Sequence, residues 1–278
     1  MTASSQLSPE TSESVPVPVE GVRYGFFTDT SVCIGCKACE VACKEWNGLR
    51  SEIGTLTGDS YDNTGALDSS TWRHVAFIEQ ATLPTEMMPT EMVWLMSSDV
   101  CKHCTEAACL DVCPTGSLFR TEFGTVVVQP DICNGCGYCV PACPFGVIAK
   151  DEQDGRAGKC TLCYDRLKSG SEPACAMACP TRSIQFGPLT ELRETAAARL
   201  TELHVNGVDR ARLYGENPND GVGGAGALFL LLDEPEVYGL PPNPRATTRD
   251  LASMWRTAAT AAAGLIATIA AVVIGGRR

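Results

Sequence analysis

The chain has 278 residues, with 33 acidic side chains against 22 basic ones, a net charge of -11 and a pI near 4.8. That balance argues against a nucleic-acid binder and suits a soluble surface or a docking face for basic partners. Sixteen cysteines, with aromatic residues at only 6%, point to something besides apolar packing as a source of stability.

Residues 1–22 are rich in Ser, Thr and Pro, lack an apolar stretch, and read as a disordered tail with no secretory signal. The first cysteine group follows, C-x2-C-x2-C-x3-C at Cys33, Cys36, Cys39 and Cys43. A long insert, 44–100, contains TWRHVAFIEQ (71–80) and EMVWLMSS (91–98), which together predict a hairpin. The second group is Cys101, Cys104, Cys109 and Cys113, and TEFGTVVVQP (121–130) after it predicts a turn and a β-branched strand. The third group, CNGCGYCVPACP, supplies Cys133, Cys136, Cys139 and Cys143, and the fourth supplies Cys160, Cys163, Cys175 and Cys179.

Residues 188–207 predict a helix with Leu189, Leu192, Ala196, Leu200 and Leu203 on one face, Thr190 as N-cap and Asn206-Gly207 at its end. The apolar end of GVGGAGALFLLLD (221–233) predicts a buried strand. Residues 233–256 read as a linker. Residues 257–276 carry no charge, and twenty helical residues reach about 30 Å, the depth of a hydrocarbon core. Trp255 and Arg256 flank that span on one side and Arg277-Arg278 on the other.

The four groups repeat one unit. Pro114, Pro144 and Pro180 follow the fourth cysteine in three of them, where Lys44 stands in the first. PTGSLF, PFGVIA and PTRSIQ each continue with a short strand pattern. Three cysteines at two-residue intervals suit a loop around one iron–sulfur cube, and the fourth reaches a neighbouring cube. Zinc sites favour two paired CxxC motifs with long spacers, so the spacing favours iron over zinc and over disulfides. Sixteen thiolates at four per cube give four [4Fe–4S] clusters. Lys37, Lys102 and Lys159 adjoin ligand cysteines and either raise cluster potentials or simply face solvent. His103 lies inside the second group, while His74 and His204 read as ordinary hairpin or surface residues. No catalytic motif is visible.

CIGCKACEVACKEWN (33–47), CNGCGYCVPACPF (133–145), KCTLCYDRLKSGSEPACAMACPTRSIQFG (159–187), YGLPPNP (238–244) and SMWRTAATAAAGLIATIAA (253–271) resemble the iron–sulfur (beta) subunit of membrane-bound formate dehydrogenases of the formate dehydrogenase-N type. The resemblance implies an α+β fold of two ferredoxin-like dicluster halves over 23–232, ahead of the linker and a single transmembrane helix at 257–276. It implies that Cys33, Cys36, Cys39 and Cys179 hold one cube, and Cys160, Cys163, Cys175 and Cys43 its neighbour. Cys133, Cys136, Cys139 and Cys113 hold a third, and Cys101, Cys104, Cys109 and Cys143 the last, with the Cys101 set nearest the membrane.

The chain would then be a non-catalytic electron-transfer subunit. Its partners would be a molybdopterin-containing alpha subunit with molybdenum or tungsten, a membrane gamma subunit binding haem b or quinone, and membrane lipid, with no nucleic acid. It would be a single-pass membrane protein with its cluster domain on the extracytoplasmic side, exported with the alpha subunit. The spacing alone also fits a beta subunit of another molybdopterin oxidoreductase or a hydrogenase, or a metal-stabilised scaffold without redox turnover.

Overall fold

The computed structural model describes residues 18–50, 58, 61–81 and 92–275. Of the tail expected over 1–22, residues 1–17 lie outside the described residues, as do the closing Arg277-Arg278, while the Gly21 N–H donates to the Glu122 carbonyl at 3.0 Å and Val22 packs against the core.

Strand β1 (Tyr24–Asp29) is buried at all six positions, because its two faces meet different layers. Phe26 faces the cysteine-bearing side and Phe27 faces a helical layer. The chain then passes the first cysteine group and enters α1 (Ala38–Asn47), which carries Cys39 and Cys43. The predicted hairpin is present as β2 (Arg73–Ala81) and β3 (Met92–Val100), paired in register from Arg73 opposite Val100 to Ala81 opposite Met92.

The second and third groups build one half of the cysteine-rich body. Helix α2 (Ala108–Asp111) leads to β4 (Leu118–Arg120), which pairs with β5 (Val126–Val128) across the turn predicted at 121–125. Helix α3 (Cys139–Ala142) precedes the short pair β6 (Ala149–Lys150) and β7 (Ala157–Gly158). Helix α2 packs on α3 over a core of Leu118, Val126, Val128, Ile148 and Ala157.

The fourth group returns the chain to the first half. Helix α4 (Tyr164–Lys168) and α5 (Ala174–Met177) follow, with α5 against α1, and β8 (Ile184–Pro188) pairs antiparallel with β1. Strands β4, β6 and β8 stand where the sequence repeat places a short strand after each Cys-Pro step.

Helix α6 (Leu189–Val205) packs Leu189, Leu192, Ala196 and Leu203 onto Phe27, as the predicted face requires, and ends at Asn206. Its start differs from expectation. Thr190 lies inside the helix and Pro188 occupies the cap, because β8 runs directly into α6 and the carbonyl of Arg23 accepts the Leu189 N–H at 2.8 Å. Strand β9 (Arg212–Tyr214) and β10 (Ala227–Leu231) complete a sheet ordered β8-β1-β10-β9, with β10 parallel to β1. Gly25 is required there, since a Cβ at that position would lie 2.1 Å from the Gly226 carbonyl oxygen.

Helix α7 (Leu251–Gly275) starts six residues before the expected span and takes in Trp255 and Arg256. Among the described residues it is the one helix long and apolar enough to cross a membrane, and its side chains are exposed from Leu251 to Ile274. Its root is tied to the cysteine-rich body. Thr248 donates to Asp111, and Arg249 Nε lies 3.3 Å from Glu106 Oε2.

Candidate metal centres

No disulfide joins any of the sixteen cysteines. Each group begins with a tight loop whose residue before the second cysteine has a left-handed backbone: Gly35 (φ 64°), His103 (φ 44°), Gly135 (φ 71°) and Leu162 (φ 58°). Such a turn aims successive N–H groups inward and creates a concavity suited to anionic sulfur. The Leu162 N–H donates to Cys160 Sγ at 3.3 Å, and that of Ala157 to Cys133 Sγ at 3.5 Å. A second left-handed position recurs three residues after the fourth cysteine, at Gly116, Gly146 and Arg182, whose N–H groups bond the carbonyls of Cys113, Cys143 and Cys179. The first group departs from this pattern. With Lys44 in place of proline, α1 continues through Cys43.

The loops and helices gather the thiols into four sets. Cys33, Cys36, Cys39 and Cys179 line one cavity, and Cys101, Cys104, Cys109 and Cys143 line another with Pro144, Phe145, Val147 and Ile148. Burial raises the Cys43 thiol, and Cys160, Cys175 and Cys163 push it further up. Burial likewise raises Cys139 to about 11, with Cys133, Cys136 and Cys113 adding to the effect. Each grouping joins three cysteines of one sequence group with one of another.

The sets form a row. Cys39 of the first lies within electrostatic reach of Cys175 in the second, Cys160 of the second within reach of Cys101, and Cys109 within reach of Cys139. The Cys101 set therefore stands between the Cys160 set and the Cys133 set. Helix α2 explains the order, since it carries Cys109 into the third set and runs out to Cys113 of the fourth. Exposure follows the row. Cys36 and Cys136, in the two outer sets, are exposed, whereas Cys43, Cys160, Cys163 and Cys175 are all buried.

Positive charge is buried among the thiols. Lys102 and Lys159 are each 1% exposed, which rules out solvent-facing roles for both. The Lys102 ammonium bonds Asp99 and the Val100 carbonyl, and that of Lys159 bonds the carbonyls of Val126 and Cys160. Lys37 is different, being half-buried and paired with Glu40 and Asp62. His103 is buried; Nδ1 accepts from the Val126 N–H at 3.1 Å, and burial with nearby Lys159, Arg23 and Arg120 keeps the ring neutral. His74 is a buried hairpin residue paired with Asp62 at 2.6 Å, and His204 bonds the Ala211 carbonyl at 2.8 Å. Sequence reasoning missed Arg73, 1% exposed at the root of the hairpin. Its signal was its place on the same strand face as Val75 and Phe77.

The donor set fits iron–sulfur cubes. Thiols this buried resist ionising, and a bound metal supplies the charge that makes thiolates stable there. A single zinc ion draws four sulfurs around itself at about 2.3 Å each, whereas these thiols share their cavities with apolar walls and inward N–H groups.

Fold and thiol sets together define an iron–sulfur protein of the dicluster class. The 4Fe-4S dicluster domain matches residues 32–117 and again residues 92–189. The chain is 42% identical over 251 residues to the iron–sulfur subunit of the nitrate-inducible formate dehydrogenase of Escherichia coli K12, covering 88% of this chain and 81% of that one. It is 40% identical over 260 residues to the formate dehydrogenase iron–sulfur subunit of Haemophilus influenzae, covering 92% and 77%. It is 39% identical over 251 residues to the iron–sulfur subunit of formate dehydrogenase-O of E. coli K12, covering 88% and 80%. The chain belongs to the family of formate dehydrogenase iron–sulfur subunits, which transfer electrons while catalysis lies in a separate subunit.

Proposed function

We propose that this chain holds four [4Fe–4S] clusters in a row and carries electrons from a molybdenum- or tungsten-pterin alpha subunit that oxidises formate to a membrane gamma subunit that reduces quinone. The observation that carries this reading is the single row of thiol sets, with an exposed cysteine in each outer set and none in the two between. When bound, each cluster supplies a one-electron carrier. The protein's part is to fix spacing, exclude water and set potentials through N–H donors and buried charge. Cys33, Cys36, Cys39 and Cys179 hold the first cluster; Cys160, Cys163, Cys175 and Cys43 the second; Cys101, Cys104, Cys109 and Cys143 the third; Cys133, Cys136, Cys139 and Cys113 the fourth.

The alpha subunit docks around Cys36. Ile34 beside it is 58% exposed, and the loop leads across Phe77 to Tyr61 and Trp94, which are 69% and 44% exposed. The far end faces the gamma subunit. The root of α7 is tied to α2, which joins the third and fourth sets, and exposed Ile132 and Tyr138 flank Cys136. In this reading the body spans 23–232, residues 233–250 link it to the anchor, α7 crosses the membrane once, and the body lies on the extracytoplasmic side.

The test is anaerobic purification in mild detergent through a C-terminal tag, with an iron count and identification of the co-purified subunits. Sixteen irons per chain and a pterin-containing partner with formate activity are expected. A colourless chain, or one replete with zinc, overturns the proposal.

A further inference from the structure

Arg73 is the first residue of β2, yet its side chain is 1% exposed. Nη1 donates to the Ser98 carbonyl at 3.3 Å and to Ser98 Oγ at 3.0 Å, and that hydroxyl lies 3.2 Å from Cys39 Sγ. The guanidinium carbon stands 4.7 Å from the Phe26 ring centroid. Nε and Nη2 are buried and have no hydrogen-bond partner among the described residues. No carboxylate among those residues pairs with the group. Its electrostatic neighbours are thiols: Cys39 of the first set, and Cys175, Cys160 and Cys43 of the second. A guanidinium does not lose its proton in a protein, so the group remains a cation.

A buried guanidinium with two idle donors and no counter-ion is costly unless something anionic meets it. The negative charge these surroundings can supply is that of thiolates and the clusters they hold. Lys159 stands comparably at the next junction, between Cys160 on one side and Cys101 and Cys109 on the other.

We infer that Arg73 is the positioning and tuning residue of the junction between the first and second thiol sets, offering Nε–H and Nη2–H to the sulfur ligands on both sides. The inference rests on the proposal that these sets carry clusters. Each cluster becomes more negative by one charge when it accepts one electron from a reductant. A fixed cation between two of them favours that state in both and screens the repulsion between neighbouring reduced centres. Arginine suits the place because its planar fork carries five donors and does not lose its proton.

The test compares the purified complex with Arg73→Gln and Arg73→Lys variants by iron count and by potentiometric titration followed by EPR, with dithionite as reductant. The wild-type iron content is expected in each. In Arg73→Gln two of the four potentials move to more negative values, by at least a tenfold change in the reduction equilibrium, about 59 mV for one electron. The other two stay in place, and Arg73→Lys recovers part of the shift. An iron-replete Arg73→Gln variant with unchanged potentials, or with all four shifted equally, overturns the inference alone. A wild-type chain without clusters overturns the proposed function as well. If Arg73→Gln fails to retain iron, pulsed EPR on wild-type protein labelled with 15N at the arginine guanidinium decides. A hyperfine coupling to a reduced cluster that Arg73→Lys abolishes supports the inference, and its absence overturns it.

Discussion

The Lys159 ammonium folds back to donate to the carbonyl of Cys160, the next residue, at 2.8 Å. The same ammonium reaches the Val126 carbonyl on β5, so one buried cation joins the two halves where the second and third thiol sets meet. Replacing it with methionine keeps the volume and removes the charge. The expected result of Lys159→Met is a negative shift of the second and third cluster potentials, with the outer two little changed. Lys168→Met is the control, since Lys168 is exposed and its charge is screened by solvent. EPR-monitored titration reads both variants, and equal shifts in the two would remove the distinction.

Cys43 belongs to the first group by sequence, but its electrostatic neighbours are Cys160, Cys175 and Cys163 of the fourth. In Cys43→Ala the second cluster is expected to be lost or to fall to three irons, while the first, bounded by Cys33, Cys36, Cys39 and Cys179, persists. Iron analysis with EPR separates the two centres. Loss of the first cluster alone would show that the fourth cysteine does not cross between groups.

Arg182 holds a left-handed backbone (φ 52°) at the position where the second and third repeats place glycine. A non-glycine residue there costs about 1–2 kcal/mol, while glycine loses about 0.5–1 kcal/mol more chain entropy on folding. Arg182→Gly is therefore expected to stabilise the protein by up to about 1 kcal/mol, raising the thermal midpoint by at most a few degrees. Thermal scans of iron-replete protein at matched rates are the check, and a lowered midpoint would assign the exposed guanidinium a contact of its own.

Truncation after Asp250 removes α7 and leaves the contacts of Thr248 and Arg249 with Asp111 and Glu106. The truncated chain is expected to keep its iron and to be extracted from membranes by alkaline carbonate, which the full chain resists. Retention of the truncated chain in the pellet would show that another surface anchors it.

Local chemistry made much of this legible in the sequence. The cysteine spacing, the strand after each Cys-Pro step, the hairpin at 73–100 and the apolar face of α6 all follow from short-range pattern. What stayed hidden depends on distant chain. Thr190 has a capping side chain, but the carbonyl of Arg23 had already taken up the start of α6. Lys102 and Lys159 look like solvent residues until the opposite half closes over them. The order of the four sets is likewise tertiary, since it follows from α2 serving two of them. Arg73 was concealed by the length of the insert between it and the thiols of the fourth group.

The unequal covering of the thiols has a consequence for how the molecule ages in air. Oxygen or a chelator arriving from water meets Cys36 or Cys136 first, at the two points of hand-over, while the Cys43 set lies behind protein on every side. An isolated chain should therefore lose its terminals before its interior and fall silent as a conductor while most of its iron is still in place. Docked partners would cap both vulnerable ends, so that assembly itself acts as the protective coat; a slower loss of iron from the complex than from the free chain is the outcome to look for.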